Sequence, residues 1–416
     1  MRKQIALLTV ALGMWLIAVP LTFQLPSCAL TLSDFVSGLL FIFLALLTLN
    51  PKRAFSGWLI GMVGVWLQFA PLAFWAPSPA LYLNDTLCGI LAIVFAFLIA
   101  NGKEVATPNI APTGWSFNPS TWKHRLPTVG LAMLCWFFAR YMAAYQLGYL
   151  PQVWDPFFQD GTLKVITSNV SHAFPVSDAG LGALCYTIEF LLGWQGGTQR
   201  YSSTPWLVFS FAFLVIPVGV VSTTLIILQP VIVGAWCSWC LGTAAMMLLM
   251  IIFTAAEFAA VLQFLAERKA QGESLWKVFW KGSSAKNTQK SAPVKSQSSG
   301  MPGITLPWNL CLSILIGIAL MSTPSFLGLS GALATSDYIQ GPIIVAISVI
   351  SMAEVFRTLR YVNILLALWL VFAPWFLAPI SHVTAVHLML GALLFALAWR
   401  KGEIRQSYGA WERFII

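Results

Sequence analysis

The chain is 416 residues long, 58% hydrophobic and only 9% charged, with a formal net charge of +9 and a mean hydropathy of +0.80. That is far more apolar surface than a soluble domain needs, so lipid is the solvent for most of it and the soluble globular classes are excluded. Apolar runs approaching the roughly 20 residues that cross a bilayer recur along almost the whole length, without the alternation of a barrel, which leaves an all-α polytopic bundle.

About twelve transmembrane helices are predicted. The first four, Ile5 to Phe23, Phe35 to Leu49, Trp58 to Phe74 and Thr86 to Ala100, form two copies of one pattern, and the last four form two more. The copies read Gly13, Trp15, Leu16, Pro20, Asp34, Gly38; Gly64, Trp66, Leu67, Pro71, Asp85, Gly89; Gly317, Ala319, Leu320, Pro324, Asp337, Gly341; and Ala367, Trp369, Leu370, Pro374, His387, Gly391. Each copy is expected to be a helical hairpin. The Pro sits near the outer end of the ascending helix, where lost backbone hydrogen bonds cost least, the acid caps the descending helix, and the following Gly lets the two helices approach. His387 stands where the other copies have an acid and reads as an interfacial polar residue.

The next four spans, Val129 to Leu150, Ala179 to Trp194, Leu207 to Leu228 and Trp236 to Leu262, make an inserted core. Within it Arg140 and Glu189 lie at similar depths below the outer ends of their spans, and an unpaired charge there is expensive, so they are expected to pair. Residues Leu262 to Pro307 change to Lys, Ser, Gln and Gly and read as a flexible basic linker. The final spans are Trp308 to Ser325, Ile339 to Glu354, Val362 to Leu377 and Val386 to Trp399.

The basic residues sort by loop. With the amino terminus cytoplasmic, Arg2, Lys52, Arg53, Lys103, Lys123, Arg200, Arg268 through Lys295, Arg357 and Arg400 fall inside and Lys164 in an outer loop, with both termini cytoplasmic. The positive charge is thus assigned to membrane orientation, and no nucleic-acid partner is expected.

Of seven cysteines, Cys237 and Cys240 form the single CxxC, spaced to share a helix face and to close a short disulfide in the first turn of the eighth span. Unpaired N–H groups there favour the thiolate that exchanges. Plain packing is the competing reading. A zinc site would want a second ligand pair at the same depth, which the sequence does not offer, so no metal is expected.

Trp369-Leu370 with Ala373-Pro374-Trp375 resembles the SPW repeat of bacterial membrane proteins, a resemblance that implies architecture. Residues from about Lys123 to Leu262 resemble the vitamin K epoxide reductase family. The matching text is Val165-Ile166-Thr167-Ser168, the run Phe174 through Gly182, Tyr186-Thr187-Ile188, and Gly234-Ala235-Trp236 leading into the CxxC. The resemblance implies a four-helix bundle in which an outer-face CxxC passes electrons between thiols and a membrane quinone, ubiquinone or menaquinone. It implies that Cys237 exchanges with an external thiol and that Cys240 meets the quinone. Ser168 and Asp178 match family positions near the quinone, and Trp236 and Trp239 would flank its mouth or sit in an aromatic belt. Two further loop cysteines of the family are missing, since Pro151 to Asp178 offers Trp154, Asp155, Asp160 and Gly161 instead. Direct exchange with a periplasmic thioredoxin-fold protein is the expected alternative route, and a relay through Cys28 and Cys88 a second.

The expected organisation is 1–104 as two SPW-like hairpins, 105–127 as a cytoplasmic linker, 128–263 as the redox core, 264–306 as a basic linker and 307–416 as two further hairpins. The expected function is a quinone-linked thiol-disulfide oxidoreductase of a bacterial inner membrane with its CxxC at the periplasmic face. A catalytically silent quinone-binding scaffold and a transporter are the alternatives.

Overall fold

A computed structural model describes residues 2–23, 27–50, 55–100, 110–283, 301–377 and 381–415. Lys52, Arg53, Lys103, Lys286, Lys290 and Lys295, counted above as inside charges, lie outside them. The helices are α1 (Arg2–Phe23), α2 (Cys28–Thr48), α3 (Ser56–Ala73), α4 (Pro79–Ala100), α5 (Trp122–Gln146), α6 (Gly161–Ile166), α7 (Asp178–Trp194) and α8 (Arg200–Ser203). They continue with α9 (Pro205–Leu228), α10 (Ser238–Ala270), α11 (Leu275–Lys281), α12 (Trp308–Leu327), α13 (Gly331–Ile350), α14 (Val362–Leu377), α15 (Ser381–Trp399) and α16 (Glu412–Ile415). Among the described residues 10 helices are long and apolar enough to cross a membrane, and Val383–Trp399 is a shorter apolar one. The expected twelve are reached only by adding this helix and α7, which has 17 residues. The fold is all-α.

The chain divides into two units, Met1–Ala106 with Cys135–Leu191, and Thr107–Leu134 with Leu192–Ile416. In unit 1, α1 packs on α2 and α3 on α4, and the two hairpins join through α2 with α3 and α1 with α4. Unit 2 repeats this ring with α12, α13, α14 and α15, and α9 and α10 pack on each other and on α13. The four helices read from the sequence as one core are therefore shared out, with α5 and α7 contributing to both units.

The repeat residues explain the hairpins. Pro20, Pro71, Pro324 and Pro374 each leave only two or three residues of helix beyond them, so few backbone bonds are lost. A Cβ built on Gly13 would lie 2.6 Å from the Gly38 carbonyl oxygen and one on Gly38 equally close to that of Gly13; Gly317 and Gly341 face each other at 2.7 Å in the same way. The acids do not cap. Helix α2 begins at Cys28, capped by Ser27, whose hydroxyl accepts from Leu30 N, and Asp34 is wholly buried further in. Likewise Ser78 accepts from Leu81 N ahead of buried Asp85. The descending helices start five to eight residues earlier than hydropathy suggested, because polar residues such as Ser33-Asp34 and Asn84-Asp85 interrupt the apolar run after their first turn.

The described parts of both expected linkers are packed. Trp115 and Phe117 are buried against Tyr408, and Trp115 Nε1 donates to Gln263 Oε1 at 2.8 Å. Helix α10 runs on to Ala270, and α11 packs on α9 through Phe279 on Phe209 and Trp280 on Trp206. Residues 284–300 of the second linker lie outside the described residues.

Just past the middle of α10, Arg200 and Glu257 form a wholly buried two-point ion pair, Nε to Oε1 at 2.6 Å and Nη2 to Oε2 at 2.5 Å. Arg200 Nη1 also donates to the Leu192 and Gln195 carbonyls, and Arg125 donates to those of Gly193, Trp194, Gln195 and Gly196. Two guanidiniums thus satisfy the carbonyls at the C-terminal end of α7, where the helix dipole favours cations.

Arg200→Met alone strands the Glu257 carboxylate and should lower stability in detergent by about 3–5 kcal/mol, whereas Arg200→Met with Glu257→Leu should recover most of the loss; thermal unfolding reads both. Gly13→Val or Gly64→Val forces backbones apart and should cost about 1–3 kcal/mol by the same assay. Gly130, in α5 with nothing within 4 Å of a Cβ built on it, should accept Ala without loss.

Candidate functional site

Ahead of α10 the chain cannot continue as α-helix. Helix α9 gives way to a π-turn over Gln229–Val233, and Gly234 takes the left-handed conformation at φ 71° that ends it. Cys237 then adopts an extended backbone, φ −113° and ψ 115°, as the N-cap of α10, and its sulfur accepts from Cys240 N at 3.1 Å. Its own N–H donates to Gln229 Oε1 at 3.0 Å. Cys237 and Cys240 are joined as a disulfide with their Cα atoms 5.3 Å apart. The pair therefore sits on the helix N-terminus, where backbone N–H groups and the dipole stabilise a thiolate once the bond opens.

Accessibility runs opposite to the roles that the resemblance implies. Cys237 is wholly buried and Cys240 partly exposed. Trp236 is half-buried with its ring 5.9 Å from that of Tyr338 on α13, and Trp239 is also half-buried.

Ser168 and Asp178 belong to unit 1. Ser168 Oγ donates to the Val165 carbonyl at 2.7 Å and closes a local turn after α6. Asp178 begins α7, where its Oδ1 accepts from Gln146 Nε2 at 2.6 Å and from Ala179 N at 2.7 Å. Gln146 is the hub of this loop: its amide also donates to Ser171 Oγ and the Ile166 carbonyl, and its Oε1 accepts from Ser177 Oγ. Neither Gln146 nor Gln229 stood out in the sequence; the signal available was an amide at the end of an apolar run, next to a helix-breaking Gly or Pro. Nearby, Tyr149 donates to the Ala76 carbonyl at 2.6 Å.

In the loop without the family's cysteines, Asp155 does the fastening. Its Oδ1 accepts from Phe157 N and Phe158 N, and its Oδ2 from Thr162 N and Oγ1.

Arg140 and Glu189 do not pair. Arg140 donates to Thr86 Oγ1 at 3.4 Å and lies over the rings of Tyr82 and Trp136, at 4.0 and 5.3 Å. Both Glu189 oxygens are buried with no hydrogen-bond partner among the described residues, and its electrostatic neighbours are Cys135 and Cys185. Equal depth does not fix the face: Arg140 is five residues from Cys135, roughly 140° around α5. Cys28 and Cys88 form no disulfide, the first exposed and the second buried, so the pairing weighed for a relay is not made. No group of three or more His, Cys, Asp or Glu that could hold a metal gathers among the described residues.

Gln229→Leu leaves the buried Cys237 N–H without its acceptor and should cost about 1–3 kcal/mol in thermal unfolding. It should also speed reduction of the Cys237–Cys240 bond, followed by mass-tag alkylation, while Gln229→Glu retains the acceptor and wild-type behaviour.

Residues 126–255 match the family model of the vitamin K epoxide reductase family, and residues 3–99 and 307–401 match the SPW repeat domain. No curated protein and no solved structure matches the chain. The first of these matches supports a membrane redox role in general and an oxidoreductase in kind. The chain is therefore a multi-pass helical membrane protein that carries a vitamin K epoxide reductase family domain between two SPW repeat domains.

Proposed function

We propose that the protein is a membrane thiol-disulfide oxidoreductase that moves electron pairs between a periplasmic dithiol and a membrane quinone through Cys237 and Cys240. The observation that carries this reading is the closed Cys237–Cys240 disulfide on the N-terminus of α10, within the matched redox domain. A thiolate of the partner attacks one sulfur, giving a mixed disulfide, and its second thiol resolves that bond, leaving oxidised partner and two enzyme thiols. Ubiquinone or menaquinone then takes two electrons and two protons to become the quinol, and the disulfide re-forms. Trp236 and Tyr338, whose rings meet beside the motif, suit a planar ring, and partly exposed Cys240 is the sulfur with surface to offer.

The loop around Asp155 has no cysteine, so the partner must bring both thiols, as a periplasmic thioredoxin-fold protein does. In this reading the CxxC faces the periplasm of a bacterial inner membrane and both termini are cytoplasmic, the orientation favoured by the distribution of Lys and Arg. The same missing cysteines favour a second reading, a quinone-binding scaffold without turnover.

Alkylation with a mass tag in native membranes separates the two. The pair should be oxidised in wild type and become reduced when quinone is depleted, and Cys237→Ala or Cys240→Ala should trap the partner on the remaining cysteine. A pair that stays reduced, or ignores quinone, sinks the enzyme and leaves the scaffold.

A further inference from the structure

The acid position of the repeat is wholly buried in both flanking bundles, and the bundles satisfy it differently. In unit 2, His387 Nε2 lies 3.0 and 3.2 Å from the two carboxylate oxygens of Asp337, and His387 Nδ1 lies 2.9 Å from the Val383 carbonyl oxygen. Both side chains are 0% exposed. A carbonyl can only accept, so Nδ1 carries a proton, and a second proton lies between Nε2 and the carboxylate. The pair as a whole is neutral.

In unit 1 the same positions hold Asp34 and Asp85, also 0% exposed. Both oxygens of Asp34, and Oδ2 of Asp85, have no hydrogen-bond partner among the described residues; Asp85 Oδ1 accepts from Asn84 Nδ2 at 3.1 Å. The acids share one seam because the hairpins are cross-braced beside them. Trp15 Nε1 on α1 donates to Asn84 Oδ1 on α4 at 2.8 Å, and Trp66 Nε1 on α3 donates to Ser33 Oγ on α2 at 3.0 Å. Each Trp thus binds the residue preceding the other hairpin's acid. Unit 2 keeps one such brace, Trp369 Nε1 to Ser336 Oγ at 3.0 Å, and has lost both ends of the other together, Ala319 and Val386 standing at those positions. The equivalence of the two seams is therefore geometric as well as sequential.

Two charged carboxylates cannot both persist in a buried seam whose described residues give Asp34 no donor. We propose that Asp34 and Asp85 form a proton-binding site in the core of the first SPW bundle, a carboxyl–carboxylate pair that shares one proton, as the Asp337 carboxylate and His387 Nε2 share one in the second. One proton makes a donor of one carboxyl, leaves the other to accept it, and removes one of two buried charges. The surroundings leave that work to the pair. At this level α1 and α3 bring the uncharged Trp15, Trp66 and Gln68, and α4 brings Tyr82 and Cys88. Arg140 of α5 is spent on Thr86 and Tyr82. A metal ion is disfavoured because, although Cys88 lies nearby, no group of three His, Cys, Asp or Glu that could hold one gathers among the described residues.

Infrared difference spectroscopy of the full chain in detergent at neutral pH, in H2O and D2O, decides it, with Glu189→Gln as background so that the other unpartnered acid does not contribute. Replacing both acids, Asp34→Asn with Asp85→Asn, removes charge without removing volume and should leave a folded bundle. Its spectrum should lack one protonated-carboxyl equivalent and one carboxylate equivalent. Loss of two carboxylates and no protonated carboxyl overturns the proposal, as does loss of two protonated carboxyls. A fall in melting temperature when choline replaces sodium, seen in wild type and absent from the double variant, overturns it in favour of a metal ion. Asp85→His, which installs the fourth repeat's imidazole, should match the wild-type melting temperature; a variant that unfolds overturns the equivalence of the two seams.

Discussion

The architecture around the disulfide depends on one buried ion pair. Arg200 and Glu257 meet with both charges at most 3% exposed, and such a pair contributes little by its attraction alone because desolvation offsets it. Its value is positional. Glu257 lies 19 residues beyond the first residue of α10, about 28 Å along its axis, so a fixed point at this depth sets the height at which the N-terminal end of α10 presents Cys237 and Cys240. Arg200 and Arg125 together take up the carbonyls of residues 192–196, so α7 ends there, and the sequence continues into α8 and α9 without an exposed helix terminus. Losing either charge would leave the other stranded, which is why the constraint is sharp even if the net stabilisation is small.

At the N-terminal end of α10, local geometry does the chemistry. A π-turn, a left-handed Gly234 and a Gln229 side chain bonded to Cys237 N convert two antiparallel helices into a platform on which a disulfide caps a helix. The same few atoms explain both reactivity and restraint. The N-terminus of α10 stabilises a thiolate, while burial of Cys237 under its own cap leaves Cys240 as the more open sulfur. Asp155 holds the preceding loop without a covalent tie, so the loop keeps its shape whatever the redox state of the motif.

Helicity, the repeats and the CxxC were legible in the sequence because each is a local property: hydropathy, spacing, and two sulfurs three residues apart. Gly13 facing Gly38 and Gly317 facing Gly341 are where the repeat put them. The rule that buried charges need partners was also sound, but it was applied to Arg140 and Glu189, which share a depth and not a face, while the pair that forms joins Arg200, assigned to a loop, with Glu257, not singled out. Rotational setting and long-range pairing are tertiary quantities that composition does not carry. The helix starts at Cys28 and Pro79 were missed for a related reason, since Ser33-Asp34 and Asn84-Asp85 break the apolar run and look like loop until Ser27 and Ser78 are seen to cap the helices ahead of them. The supposed linkers were misjudged where aromatic residues such as Trp115 and Phe279 are used for packing.

The two flanking bundles set the limit on what repetition can mean here. Close Gly contacts, Pro near the helix ends and a Trp brace recur in both, so these features belong to the hairpin as a packing unit. The titratable position does not recur in the same way. Replacing one acid by His387 changes neither the backbone nor the brace that remains, yet it turns an acid facing an acid into an acid facing an imidazole. A purely structural repeat would tolerate apolar residues in that seam at lower electrostatic cost, since buried ionisable groups in lipid are expensive and apolar side chains of similar size are not. Retention of ionisable groups at all four positions is thus the one feature of the repeats that packing alone does not account for.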